Sequence, residues 1–312
     1  MTLRRALAHH ALEGVLVLTC AVLALLSPDF LSTANLLNVL RSVAEIGIIA
    51  CGMTLVIVAG EIDLSVGSHV AFAGCLVAVL VQRGSGVPLA VATALACGAL
   101  IGAAIGALRA TFAVPSFITS LAMLTVLRGA ALHLTGGFPL TPFPPWYDFF
   151  GSGRVAGIPF PVLVFAVVAA AVHVLKDHTA FGRAVHAIGE NAEAARLSAL
   201  PVARIRVMTL ALTGVLAALS GVMLSARLLS GNPTVAAGWE LDVIAAVIVG
   251  GTSLSGGQGS VRGTLVGVVF IGVLVNGMRL LDVHEDLQLI ARGGIVLLAV
   301  LWTRWQHRVN LR

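Results

Sequence analysis

Apolar runs long enough to cross a lipid bilayer recur along the whole chain. A helix needs about 20 apolar residues to cross a hydrocarbon core of about 30 Å. The 312 residues are 58% hydrophobic and 11% charged, whereas soluble domains are about 25% charged. The sequence therefore predicts an all-α polytopic membrane protein, built as a single transmembrane domain over residues 1–312.

We predict ten membrane spans from the lengths of the apolar runs. Span boundaries placed in this way carry an error of several residues. The predicted spans are about 11–27, 43–60, 64–82, 88–108, 116–134, 161–175, 207–225, 241–250, 263–281 and 287–303. An even number of spans puts both termini on the same side of the membrane.

The longest charged interruption, at 176–206, holds five basic and three acidic residues in 31 positions. It contains the signals of a short helix: Asn191 as N-cap, Glu193 in the first turn and Pro201 after the end. A helix of about nine residues is marginal alone, since isolated helices need about 12–15 residues. Two interpretations stay open at this point: a docking helix for a soluble partner, or a solvated loop.

The basic residues indicate which side of the membrane holds this loop. With ten spans, twelve of the 19 Lys and Arg residues share the side of the loop, five lie opposite and two lie within spans. Cytoplasmic loops carry the excess of Lys and Arg, so we expect both termini, the loop at about 176–206 and a tail at about 304–312 in the cytoplasm. The twelve are Arg4, Arg5, Arg109, Lys176, Arg183, Arg196, Arg204, Arg206, Arg262, Arg304, Arg308 and Arg312.

Two carboxylates, Glu61 and Asp63, lie between predicted spans 2 and 3. A carboxylate deep in lipid costs about 2.5–3.5 kcal/mol, so these groups face a cavity, pair with a cation or lie at an interface. Three interpretations remain open: a proton or cation site, a lining of the substrate path, and a cap at the start of span 3 by Asp63. Arg128 and Arg292 also lie within spans and need partners, for which the candidates are Glu61, Asp63, Glu240 and Asp242.

A short pattern occurs twice, 190 residues apart. Gly-x-x-x-Leu-Ser-x-Gly begins at Gly60 and again at Gly250, each time after an apolar run. Transporters often contain internal repeats with broken helices at matching positions, although four matches in a glycine-rich chain also arise by chance. The repeats add candidates for a translocation path or gate, which are Ser65, Gly67, Gly250, Gly251 and Ser253, beside Glu61, Asp63 and Asp242.

The sequence lacks the motifs of a chain that does its own chemistry. No Walker A motif, HExxH, GxSxG or metal-spaced Cys/His cluster occurs, so we expect no catalytic residue, no metal site and no bound cofactor. The net charge of +5 reports membrane topology and does not predict nucleic-acid binding. If ATP drives transport, a separate subunit must hydrolyse it.

Four segments together resemble the permease subunits of bacterial ABC importers of the ribose, xylose and arabinose type. They span most of the chain in the expected order and spacing. They are GMTLVIVAGEIDLSVGS (52–68), PSFITSLAMLTVLRG (115–129), GENAEAARLSALPVARIRV (189–207) and GNPTVAAGWELDVIAAVIVGGTSLSGGQGSVRGTLVG (231–267). The resemblance implies a permease of the bacterial inner membrane that imports a monosaccharide.

The same resemblance implies partners and a coupling site. The partners are two cytosolic ATPase domains, which hold ATP and Mg, a periplasmic sugar-binding protein, and a second permease copy or paralogue. The family's ATPase-coupling motif falls on the short helix, and its glycine is replaced by Ala199. Glu61 stands where the family usually has a second Gly. The implied coupling residues are Gly189, Glu190, Asn191, Glu193, Ala194, Ala195, Arg196 and Ala199.

Two alternatives remain beside a monosaccharide importer. Within the same class, the substrate is a sugar-like signal such as autoinducer-2, and branched-chain amino acids are less favoured. In a different class, the chain is a secondary transporter that uses Glu61 or Asp63 as a proton or sodium site. The helix signals between Asn191 and Pro201 speak against the second class.

Overall fold

The computed structural model describes residues 11–310, which form thirteen α-helices and a few shorter elements. A 3-10 turn (Pro145–Asp148) and an antiparallel pair of two-residue strands (Arg154–Val155 with Ile158–Pro159) lie between α5 and α7. The helices are α1 Ala11–Leu26, α2 Thr33–Val58, α3 Val66–Gln82, α4 Val87–Phe112, α5 Ser116–Thr135, α6 Phe149–Ser152, α7 Phe160–His178, α8 Ala180–Glu190, α9 Ala192–Leu197, α10 Val202–Leu228, α11 Trp239–Val249, α12 Val261–Leu280 and α13 Glu285–Asn310.

Every predicted span corresponds to a helix, but not every helix is long enough to cross a bilayer. Within the described residues, six helices have the length and apolar character of a span, namely α2, α4, α5, α7, α10 and α12. Helix α11 has 11 residues and rises only about 16 Å, which is roughly half of the hydrocarbon core. The protein is an all-α polytopic membrane protein, whereas ten complete spans are not confirmed.

Two helices extend well past their predicted limits. Helix α2 begins at Thr33, ten residues before the predicted span, with the Ser32 hydroxyl accepting a hydrogen bond from the Asn35 amide. Its early polar residues belong to the bundle because the side-chain amides of Asn35 and Asn276 bond each other at 2.7 and 3.1 Å. Helix α13 runs to Asn310 and so includes most of the predicted tail. Arg4, Arg5 and Arg312 lie outside the described residues.

Helix α10 lies at the centre of the bundle and crosses α4 at very short range. Three glycines spaced four apart, Gly98, Gly102 and Gly106, face the α10 backbone. A Cβ atom on Gly102 would overlap the carbonyl oxygen of Leu210. Small residues at this spacing let membrane helices approach closely, where packing and not the hydrophobic effect drives association.

We expect Gly102→Ala to destabilise the purified permease by about 1–3 kcal/mol, because the added methyl forces α4 and α10 apart. Gly129→Ala is the matched control, since Gly129 lies in α5 with nothing within 4 Å of its Cβ position. Alanine there should stabilise the helix by about 0.5–1 kcal/mol. Unfolding in detergent measures both, and equal effects of the two substitutions would contradict the close crossing.

Helices α3 and α11 both begin inside the bundle. A Cβ atom on Gly67, in the first turn of α3, would overlap the carboxylate of Glu240 in the first turn of α11. Helix α11 then runs to Gly250, which touches the backbone of Gly263 at the start of α12. The ten residues from Glu240 to Gly250 rise about 15 Å, so the two helix starts lie at mid-depth. Helices interrupted at mid-depth are typical of transporter binding regions.

A segment rich in aromatic residues, at 143–150, covers the end of the bundle that is distant from the α8–α9 loop. Tyr147 is fully buried there. Its hydroxyl lies 3.0 Å from the Ser225 hydroxyl and donates to the Val222 carbonyl oxygen at 3.2 Å. Gly151 lies directly against the Arg227 backbone. These contacts fix the segment to the last turns of α10.

Candidate coupling and translocation sites

The predicted short helix is present as α9, with the predicted cap. The Asn191 side-chain oxygen accepts hydrogen bonds from the backbone amides of Glu193 (3.1 Å) and Ala194 (3.0 Å). The helix has six residues rather than about nine, because it ends at Ser198 and Ala199 then adopts a left-handed conformation with φ of 61°. Pro201 begins the next helix instead of closing this one.

One side of α9 packs against the protein and the other side is exposed. Ala195 is buried against α8 and α10, whereas Ala194 and Leu197 are exposed, Leu197 to 76%. Glu193 and Arg196 form an exposed ion pair at 2.6 Å. Hydrogen bonds from Arg196 hold the pKa of the Glu193 carboxyl below its usual value. The exposed face therefore combines an apolar side chain with a preformed ion pair.

Glycine in place of Ala199, the left-handed residue after α9, should increase the stability of the permease. Glycine adopts this conformation without the penalty that a Cβ atom brings. We expect Ala199→Gly to stabilise the permease by about 1 kcal/mol, whereas Ala194→Gly, inside the helix, should destabilise it. Thermal unfolding of the two purified variants measures the difference, and a loss of stability on Ala199→Gly would contradict the observed φ.

The loop that carries α9 contacts the membrane bundle through backbone atoms. Gly189, at the end of α8, touches the carbonyl of Val58 at the end of α2 and the amide of Gly257. The Gly257 amide also donates to the Val58 carbonyl at 2.9 Å. His186 Nδ1 donates to the Gly257 carbonyl at 2.8 Å. The two repeated glycine patterns meet beneath the α8–α9 loop, because Gly256 lies against the backbones of Gly60 and Gly189.

Glu61 lies beside this junction, in an ion-pair cluster with two arginines. One of its carboxylate oxygens is 3.1 Å from Arg109 Nε and 2.8 Å from Arg206 Nε. The Glu61 side chain is only 3% exposed. The cluster joins the ends of α2, α4 and α10. Glu61 thus pairs with neither Arg128 nor Arg292, although it was a candidate partner of both.

Asp63 organises the backbone at the start of α3. One carboxylate oxygen accepts from the Ser65 amide (2.8 Å) and the Ser65 hydroxyl (2.6 Å). Ser65 is the N-cap residue and also lies 3.4 Å from His69 Nδ1. All three residues are buried. Asp63 therefore shapes the turn before α3, whereas the N-cap position itself belongs to Ser65, and its second oxygen has no hydrogen bond.

The candidates after α11 form a tight loop. Gly250 touches Gly263 of α12, and Gly251 has φ of 89°. The Ser253 amide donates to the Gln258 carbonyl at 2.9 Å, and the Ser253 hydroxyl accepts from the Ser255 amide at 3.3 Å. These residues lie at the same end as Gly189 and form a loop anchored to α2 and α12.

Asp242 lies in the first turn of α11, at mid-depth, apart from the Glu61 cluster and from the loop after α11. Its carboxylate accepts from Arg292 at 3.2 Å, which gives Arg292 one of its proposed partners. Arg128 instead donates to the backbone carbonyls of Pro233 (2.6 Å) and Val235 (2.8 Å). The eight path candidates therefore divide among the Glu61 cluster, the start of α3, the loop after α11, and the start of α11.

Two features of the charge network were missed from the sequence. Arg109 and Arg206 were counted only as topology signals, and nothing local connects them to Glu61. Glu45 is fully buried in α2 and lies 3.2 Å from Arg227. A glutamate inside a predicted apolar span was the available signal for that pair. Among residues 11–310, no group of three or more His, Cys, Asp or Glu residues is placed to hold a metal ion.

Comparison with known proteins identifies the chain. Residues 35–300 match the family described as "Branched-chain amino acid transport system / permease component". The chain belongs to this family. The permease is 42% identical to the ribose import permease protein RbsC of Escherichia coli strain K12, over 94% of this chain and 92% of that protein.

Two further relatives are similar over most of their lengths. Identity is 44% to the ribose import permease protein RbsC of Bacillus subtilis strain 168, over 93% of this chain and 91% of that protein. It is 39% to the L-arabinose ABC transporter permease protein AraH of Azospirillum brasilense, over 96% and 87%. No solved structure is significantly similar to the permease.

These relatives confirm several predictions. The permease is the transport component of an ABC importer and not an enzyme, and ATP is hydrolysed on a separate subunit. It is a multi-pass protein of the inner membrane. Permeases of this family work with ATPase and substrate-binding partners in general.

Proposed function

We propose that the permease forms the membrane path of an ATP-driven importer for a neutral monosaccharide. The observation that carries this proposal is similarity over more than nine-tenths of the chain to proteins named for ribose and arabinose. The family description names branched-chain amino acids, which makes an amino acid the competing substrate. The secondary-transporter alternative loses support because Glu61 is already paired with two arginines and Asp63 holds the turn before α3.

Helix α9 is the proposed docking element for the ATPase. Its exposed face offers Leu197 and the Glu193–Arg196 pair. Behind it, Gly189 and Glu190 rest on the backbone of Gly257 and on the end of α2. A movement of α9 would pass to the end of α2 and to the loop before α12, because Gly189 meets Val58 and Gly257 backbone to backbone. This arrangement supports coupling of the ATPase cycle to opening and closing of the path.

The proposed topology places the α8–α9 loop in the cytoplasm. Ten crossings and cytoplasmic termini agree with the distribution of basic residues. Helix α11 and the chain before it would together make one crossing, since α11 alone is too short. A cysteine at Ala194 should therefore react with impermeant reagents only from the inside, and one at Trp146 only from the outside. Reaction of both from one side would overturn the topology.

The proposed partners follow from this arrangement. Two cytosolic ATPase subunits would bind ATP and Mg, so that the permease itself needs no cofactor. A periplasmic binding protein would deliver the sugar to the end distant from α9. A second permease copy or a paralogue would complete the membrane unit. To move a 1:99 equilibrium between the two access states to 99:1, ATP must favour one state by about 5.5 kcal/mol.

Uptake into cells tests the proposal directly. The permease is expressed with its neighbouring transport genes, and uptake of labelled ribose, arabinose, xylose and leucine is measured with and without an ionophore and with the ATPase deleted. We expect uptake of at least one monosaccharide to require the ATPase and to survive the ionophore. Uptake of leucine and of no sugar would reject a monosaccharide as the substrate. Uptake that is abolished by the ionophore but not by deletion of the ATPase would reject an ATP-driven importer.

A further inference from the structure

A polar cavity of about 240 Å³ lies within one permease subunit, at the end distant from α9. Asn38 and Ile46 of α2 line it, respectively 20 and 12 residues before Val58. At 1.5 Å per residue, the cavity spans depths of about 18–30 Å from the coupling end. Its floor is the mid-depth start of α11, which contributes Trp239 and Asp242. The cavity is thus on the side from which a substrate would enter.

The lining carries hydrogen-bonding groups that are not used within the protein. Across the described part of the chain, the side chains of Ser42, Arg279 and Glu285 and the indole N–H of Trp239 make no hydrogen bond, and Arg292 Nε has no partner although it is buried. Donors and acceptors are therefore both free. Trp239 adds an aromatic surface, and Ile271 and Val275 complete the wall. This mixture suits a ring with several hydroxyls and an apolar face.

Most charges around the cavity are paired, although the lining itself holds three arginines and two carboxylates. Asp242 is paired with Arg292, and Glu45, behind the wall, is paired with Arg227. Arg279 and Glu285 remain, one of each sign. Neighbouring Arg41 is directed to the Asn38 side chain and the Ser152 carbonyl. With most of these charges already paired, a neutral ligand fits better than an ion, which would need an unpaired opposite charge.

We propose that this cavity is a transit site for one neutral monosaccharide within each permease subunit. Its volume is below the ~300–1,000 Å³ of pockets for drug-sized ligands, so it holds one small polar molecule with a few waters. Ser42, Trp239, Arg279 and Glu285 contact the sugar, and the Asp242–Arg292 pair closes the inner end. The proposal rests on the proposed function, and it places a sugar site inside a single subunit rather than only between two subunits.

Cysteine protection tests the site in the assembled importer. Ser42→Cys places a thiol in the cavity without breaking a hydrogen bond, and Leu40→Cys is the control on the exposed face of the same helix. None of the four native cysteines lines the cavity. With a charged thiol reagent added from outside, we expect the transported monosaccharide to slow labelling of Ser42→Cys at least threefold. Leucine should have no effect, and labelling of Leu40→Cys should not change.

A second variant tests the site by transport. Trp239→Ala should lower monosaccharide uptake at least tenfold, and uptake at the parent's rate would overturn the transit site. If the parent importer takes up monosaccharide but Ser42→Cys labels equally with and without sugar, or does not label, the transit site is wrong and the proposed function stands. If the parent takes up no monosaccharide, the proposed function fails and the site fails with it.

Discussion

Replacing Glu61 by glutamine is expected to destabilise the permease by about 3 kcal/mol. The carboxylate is 3% exposed and is the shared partner of Arg109 and Arg206, so its loss leaves two partly buried guanidinium groups without a counter-charge. Breaking a buried ion pair from one side costs about 3–5 kcal/mol. The arginines are 25% and 16% exposed, which places the effect at the low end. Unfolding of the purified variant in detergent measures it.

The two arginines provide the internal controls for this expectation. Arg109→Gln should cost less than Glu61→Gln, because Glu61 keeps Arg206 as its partner. When Arg109→Gln is already present, adding Glu61→Gln should destabilise the permease less than it does in the parent. The coupling free energy between the two substitutions should be about 0.5–3 kcal/mol. Glu193→Gln removes a carboxylate from an exposed pair and should leave stability unchanged. Equal effects of Glu61→Gln and Glu193→Gln would refute the buried cluster.

Replacing Leu197 by glutamate is expected to release the ATPase without unfolding the permease. Leu197 is 76% exposed, so the substitution removes almost no internal packing. In the proposed complex the side chain is buried against the ATPase, and burial of a leucine contributes about 1.5–3 kcal/mol. Since 1.4 kcal/mol is a factor of ten in affinity, we expect ATPase binding to weaken at least tenfold. Co-purification of the ATPase with the permease measures this.

Leu197→Met is the matched control for the docking surface. Methionine keeps the volume and the apolar character, so ATPase binding and sugar uptake should stay near normal. Glu193→Lys should also weaken docking, because it places two cations where the ion pair with Arg196 stood. Thermal unfolding of all three variants should match the parent. Normal co-purification of the ATPase with both Leu197→Glu and Glu193→Lys would remove α9 as the docking element.

The sequence by itself determined the features that depend on residues close together in the chain. The apolar runs predicted where all the long helices lie, because each backbone in a membrane must satisfy its own hydrogen bonds. The cap at Asn191 and the first-turn position of Glu193 were predicted correctly, because capping uses atoms two or three residues away. The loop at 176–206 stood out because it is the longest charged stretch in an apolar chain.

Only the tertiary structure decided which distant groups meet. Glu61, Arg109 and Arg206 come together because the ends of α2 and α4 meet the start of α10, and no local pattern encodes that. The run predicted at about 241–250 was already only ten residues long, but its start at mid-depth beside the start of α3 depends on packing against the neighbouring helices. The transit cavity lies between five helices whose lining residues are far apart in the chain. Their registers fix its shape and charge balance, and these registers are set by packing.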